Sequence, residues 1–115
     1  RSAEGDKYWI IGTDLHAEGG GPGGSGWDQL NASQNLVVWE STDLVNWSDQ
    51  RIVFAGFEHA GNVWAPEAIY NDETGEYYVY WSARDRRENN TPDWALRVYL
   101  TKTRDFVTFT EPEVW

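Results

Sequence analysis

Residues 63–70 read VWAPEAIY, so that one carboxylate, Glu67, directly follows Trp-Ala-Pro and opens onto an apolar run. Pro66 has no backbone N–H to give to a ladder, so within a sheet it fits only at the first position of a strand or on an edge. Glu67 is thereby expected at a strand mouth, beside the indole of Trp64. A carboxylate partly desolvated by an aromatic neighbour can hold hydroxyl groups or shift the pKa of a nearby acid, which is what sugar chemistry asks of such a group. The plainer reading is an exposed Glu at a strand start with no chemistry at all.

Other residues compete for a site more weakly. Asp14, Glu18 and Asp28 flank residues 19–26 (GGGPGGSG), and Asp14 could line a pocket. That stretch suits neither helix nor strand, and its glycines permit either mobility or tight packing against a ligand. It lacks the Lys-Ser/Thr ending of a phosphate-binding loop, so nucleotide binding is excluded. Trp64, Trp27 and Trp94 could offer a π-face to the apolar face of a sugar ring, Trp64 foremost. His16 and His59 read as polar loop residues. Arg84, Arg86 and Arg87, in the charged insertion 84–94, read as a solvated cluster. Trp9, Trp39, Trp47 and Trp81 are expected in the core.

The elements that would position these residues are strands. Residues 7–13, 35–40, 51–55, 65–71, 76–82 and 96–101 are short and rich in β-branched and aromatic types, with turn signals at 4–6, 71–75 and 111–112. No window carries a 3.6-residue period, so the chain is expected to be all-β. It also repeats itself. Residues 43–47 (DLVNW) return 62 positions later as 105–109 (DFVTF), and residues 7–11 (KYWII) return 69 positions later as 76–80 (EYYVY). In each turn the Asp can accept local backbone N–H bonds while the aromatic four residues on pins the turn to its sheet. Two such units suggest two blades of a propeller, with a sandwich built from a duplicated hairpin as the competing architecture. The strand preceding the 71–75 turn has no full counterpart in the first unit, where Arg1 and Ser2 would be its last residues. A processed chain, or a piece of a longer one, is the expectation.

Composition narrows the partners. Nineteen acidic against nine basic residues give a net charge of −10, the wrong sign for a nucleic-acid backbone or an anionic membrane. No apolar run is long enough to span a bilayer as a helix. With no Cys, disulfides, thiolate metal sites and a cysteine nucleophile are excluded.

Taken together, residues 63–70 (VWAPEAIY), 71–82 (NDETGEYYVYWS) and 36–47 (LVVWESTDLVNW) closely resemble glycoside hydrolase family 43, and residues 8–15 (YWIIGTDL) resemble the first blade of its arabinosidase or endo-xylanase-like branch. The resemblance implies a five-bladed β-propeller acting on arabinose- or xylose-containing polysaccharides such as xylan. It implies one partial propeller domain over 1–115, with a first blade at 1–62 lacking its innermost strand and a second at 63–115. It further implies three carboxylates: a general base in an Asp-Pro context, a pKa modulator, and a general acid. Glu67 matches the modulator, with Trp64, Asp14 and Trp27 as candidate substrate contacts. The chain contains no Asp-Pro, and the acid would belong to a third blade, so hydrolysis by this chain alone is not expected. A non-catalytic sugar-binding module and a self-assembling blade pair are the alternatives. No cofactor is implied beyond a channel cation such as calcium, which some members hold with a His. Self-association through open blade edges, and a secreted or periplasmic setting suited to polymeric substrates, complete the expectations.

Overall fold

In the computed structural model, the structure describes residues 1–15, 28–91 and 94–115. Among the described residues, seven strands form two antiparallel sheets. β1 (Tyr8–Thr13), β2 (Asn35–Ser41) and β3 (Arg51–Phe54) make the first, in that order. β4 (Trp64–Asn71), β5 (Glu76–Ala83), β6 (Arg97–Thr103) and β7 (Glu113–Val114) make the second, also in chain order, with a short 3-10 turn at Arg86–Glu88. The chain is all-β, and every expected strand forms within two residues of its expected bounds.

The repeat is visible bond by bond. The Ser41 hydroxyl accepts from Asp43 N and Leu44 N, and Asp43 Oδ1 accepts from Val45 N and Asn46 N at 2.9 and 2.8 Å. Sixty-two residues later, the Thr103 hydroxyl accepts from Asp105 N and Phe106 N, and Asp105 Oδ1 accepts from Val107 N and Thr108 N, both at 2.9 Å. Leu44 and Phe106 both adopt left-handed backbone, with φ of 64° and 55°. The turns close alike, Ser48 N donating to Glu40 O and Thr110 N to Lys102 O. The hairpins preceding them also correspond. Ser2 N donates to Lys7 O, and Asn71 pairs with Glu76, each across five residues. β1 is therefore the counterpart of β5, and β4 has no counterpart in the first sheet.

The faces follow from register. Tyr77, Val79, Trp81 and Ala83 of β5 are buried toward the first sheet, and Tyr78, Tyr80 and Ser82 point away from it. On the first sheet, Leu36, Val38 and Val53 face the second, with Trp9 and Ile11 packed against the same core. Shifting by the repeat turns Tyr8 and Ile10 into Tyr77 and Val79. The outward face of the first sheet thus corresponds to the inward face of the second. The sheets stack like successive steps, the back of one on the front of the next.

The seam is aromatic. Trp9 lies 5.5 Å from Tyr77 and 5.0 Å from Phe106, while Trp81 stacks on Tyr99 at 5.2 Å and Phe57 packs beside both. Such pairs add to the area term by about 0.5–1.5 kcal/mol each. Trp81 is fully buried as expected, and Trp9 is partly buried against the core.

Candidate functional site

Glu67 lies on β4, the edge strand of its sheet, just beyond a bulge. The pairing of β4 with β5 slips between Trp64 and Glu67, and Ala65 sits there at φ 52°. Pro66 occupies the slip, where a missing N–H costs no ladder bond. Two ties hold the bulge. Ala65 N donates to the Thr13 hydroxyl at 3.0 Å, anchoring it to β1. Asn62, fully buried, donates from Nδ2 to Ser82 O and accepts at Oδ1 from Arg84 N, both at 3.0 Å. Its side chain continues the β5 ladder where the main chain of β4 has departed from it.

Past the bulge, Glu67 stands opposite Tyr80, and Tyr80 Oη donates to Glu67 Oε2 at 2.7 Å. That bond, lost if the phenol ionises, raises the Tyr80 pKa, with desolvation and the carboxylate charge adding to it. Glu67 is exposed, and both side chains lie on the sheet face turned away from β1. Tyr80 in turn packs on the Trp115 ring at 5.1 Å. A cleft of about 350 Å³ runs along the β1–β4 seam, with Trp9 and Ile11 on one wall and Glu67, Ala68 and Tyr70 on the other. The Glu67 carboxylate, held by a phenol on the exposed face of the edge strand opposite this cleft, can accept hydrogen bonds from hydroxyl groups and set the local field.

The other candidates divide. Trp64 is half-buried at the head of β4 and does not line this cleft. Asp14 follows Thr13, the residue tied to the bulge, and its carboxylate accepts from the Ser33 hydroxyl at 2.6 Å. It too stays off the cleft lining. Trp27, His16, Glu18 and the glycine-rich stretch lie outside the described residues. Asp28 caps a turn, accepting from Leu30 N, Asn31 N and Asn31 Nδ2, and the Asn31 amide above all lowers its pKa. His59 is half-exposed, with Glu58 at 3.9 Å. Among the described residues, no group of three His, Asp or Glu is placed to hold a metal ion.

The arginine cluster meets the solvated expectation only in part: Arg86 and Arg87 are exposed, while Arg84 is half-buried, and all three guanidinium groups are bound. Arg84 stacks on Trp94 at 4.1 Å and donates from Nε to Gln29 Oε1. Arg86 donates to Leu30 O at 2.7 Å. Arg87 clamps Asp85, which is 5 % exposed and held below its ordinary pKa chiefly by that hydrogen bond. Planar guanidinium groups fasten three loop segments here, and the stacking removes Trp94 as a free platform.

Tyr80 and Asn62 carry the site and are not singled out by the sequence reading. Tyr80 was within reach of it: once the turn is set at 71–76, hairpin register pairs residue 67 with residue 80. Asn62 carries no comparable signal, since only the bulge creates its task.

A family model described as a probable glycosyl hydrolase domain, related to glycoside hydrolase family 43, matches residues 1–115, and the chain belongs to that family. The chain is 36 % identical over 135 aligned residues to an alpha-L-arabinofuranosidase of Bifidobacterium longum subsp. longum. That alignment covers 100 % of this chain and 12 % of the relative, so the chain spans about an eighth of its length. No solved structure matches.

Proposed function

We propose that this chain is part of a glycoside hydrolase acting on arabinofuranosyl or xylosyl linkages in plant-type polysaccharides, and that Glu67 serves there as the carboxylate that tunes the pKa of the general acid. The observation that supports this most strongly is the placement of Glu67 itself. The one carboxylate in the Trp-Ala-Pro context of a glycosyl hydrolase family stands on an edge strand, beyond a bulge held at both ends, with Tyr80 fixing its orientation. A propeller, in which the free edge strand of each blade borders a central channel, is the architecture the stepwise stacking of the two sheets favours.

The proposed reaction distributes the roles as follows from its chemistry. Inverting hydrolysis needs an acid and a base roughly 6.5–9.5 Å apart across the scissile bond. Glu67 cannot be both at once, so both partners come from elsewhere in the full-length protein, and this chain contributes the third carboxylate. Its negative charge keeps a neighbouring acid protonated at neutral pH. Tyr80 holds Glu67 in place and takes no part in bond cleavage. Trp64, at the head of the same strand, is the proposed sugar-stacking face, with Asp14 and Trp27 as further substrate contacts. Polymeric substrates place the enzyme outside the cytoplasm, secreted or periplasmic.

The test is hydrolysis of aryl α-L-arabinofuranosides and β-D-xylosides by the 115-residue chain. Turnover is expected to stay at background. Turnover that survives both Glu67→Ala and rigorous repurification would overturn the assignment, because the working carboxylates would then lie elsewhere in this chain.

A further inference from the structure

A slip of one residue in register decides which face Glu67 takes. Trp64 pairs with Ser82 and Glu67 with Tyr80, so Ala65 and Pro66 together stand opposite Trp81. An unbroken ladder running on from Trp64–Ser82 would set residue 67 opposite Val79, on the face buried against the first sheet. The bulge turns the carboxylate to the other face, where Tyr80 Oη donates to it at 2.7 Å. Of the two bulged residues only Ala65 carries an N–H. Its φ of 52° is left-handed backbone, which a residue with a Cβ keeps only where its surroundings fix it. That N–H donates to the Thr13 hydroxyl of β1 at 3.0 Å. Thr13 is itself well fixed. It pairs with Leu36 in the first sheet, and its neighbour Asp14 accepts from the Ser33 hydroxyl, whose oxygen in turn accepts from Asn35 N and Nδ2.

We propose that Thr13 is a positioning residue for Glu67: its hydroxyl fixes, from the neighbouring sheet, the bulge that aims the carboxylate. It acts through the Ala65 amide and not on substrate. Asn62 ties the bulge within its own sheet, to Ser82 and Arg84. Thr13 supplies what Asn62 does not, a fixed distance from β1. With that acceptor gone, the Ala65 N–H turns to water and the left-handed residue is free to relax. Glu67 then drifts from the position in which its charge acts on a neighbouring acid. A hydroxyl is what the position requires, since valine matches threonine in shape but accepts nothing, whereas serine still accepts. This role rests on the proposed function of Glu67, whereas the hold on the bulge can be read without any turnover.

Full-length enzyme carrying Thr13→Val or Thr13→Ser tests it, each variant first checked for native circular dichroism and a cooperative melt. Thr13→Ala stands in if the valine variant is not native. Hydrogen–deuterium exchange of the peptide spanning residues 63–70 reads the bulge. In Thr13→Val one amide of that peptide is expected to exchange at least about tenfold faster than in wild type, and in Thr13→Ser within about twofold of it. Turnover of an aryl α-L-arabinofuranoside, followed across pH, reads the carboxylate. Thr13→Val is expected to lower kcat at least about threefold with KM little changed, and to move the basic limb to lower pH, as Glu67→Gln does. Thr13→Ser is expected to restore both. Added to Glu67→Gln, Thr13→Val is expected to change nothing further, because the charge it aims is already gone. Wild-type exchange in Thr13→Val would overturn the proposal. So would an equal further loss of kcat in the Glu67→Gln background, which marks a general loosening of the seam. Faster exchange in Thr13→Val, with wild-type kcat in both Thr13→Val and Glu67→Gln, would support the tie to the bulge and refute the role proposed for Glu67.

Discussion

Asp43 and Asp105 perform the same local task in two surroundings, and replacing each by Ala separates the turn from what the turn positions. Asp105→Ala removes the acceptor for Val107 N and Thr108 N. Loss of such a capping side chain costs about 1 kcal/mol where water can reach the freed donors. The turn also fixes Phe106, 3 % exposed, against Trp9 and Tyr77 at 5.0 and 4.8 Å. Removing a buried Phe outright costs about 3–5 kcal/mol, and loosening its backbone forfeits a fraction of that. A total of about 1–2 kcal/mol follows, or roughly 4–8 °C in Tm for a chain of this size. Asp43→Ala frees the same donors, but Leu44 is exposed, so its loss is the smaller of the two. Differential scanning fluorimetry reads both. The pH dependence has a definite sign. Hydrogen bonds hold both carboxyls below their ordinary pKa, those from backbone N–H groups foremost at Asp105 and that from the Asn46 side chain foremost at Asp43. Their contribution is therefore complete above the ordinary carboxylate range near pH 4 and fades as pH falls through the lowered values. The gap between wild type and Asp105→Ala should narrow on acidification below about pH 4. Equal losses at the two sites, or a larger one at Asp43, would refute the claim that the second turn works by seating Phe106 in the seam.

Two further outcomes follow from the site. Asn62→Ala leaves the partly buried Ser82 carbonyl and Arg84 amide without this partner, and a loss of about 1–2 kcal/mol is expected in urea unfolding, against near-neutrality if the bulge is held by Thr13 alone. Glu67→Ala removes the acceptor whose hydrogen bond, together with its charge, raises Tyr80, so phenolate absorbance should show one tyrosine titrating at lower pH than in wild type, and an unchanged titration would mean that the Glu67–Tyr80 bond does not form in solution.

The repeat was legible because its chemistry is local. Each Asp finds its partners within three residues, so residues 43–47 and 105–109 announce the same turn whatever lies around them. The strands were legible for a similar reason, since residues 76–83 alternate faces without interruption. What composition hid was long-range and polar. The charged run at 84–87 looks solvated in one dimension, yet Arg84 and Arg86 reach Gln29 and Leu30 more than fifty residues away. The bulge at Trp64–Glu67 left a visible mark in Pro66, but its ties to Thr13 and Asn62 depend on two sheets meeting at one seam. Glu67 was found by its sequence context and Tyr80 only by register.

The most direct test of the account is kcat of the full-length enzyme carrying Glu67→Gln, measured on an aryl α-L-arabinofuranoside across pH. Gln keeps the shape and removes the charge proposed to keep the acid protonated. General acid catalysis contributes roughly 10²–10⁴-fold, so a loss of at least about tenfold is expected when the acid is detuned, with Tm unchanged. The basic limb of the profile should move to lower pH, because the acid gives up its proton more easily without a neighbouring carboxylate. Wild-type kcat with an unmoved basic limb would contradict the account and leave Glu67 an ordinary residue on an edge strand.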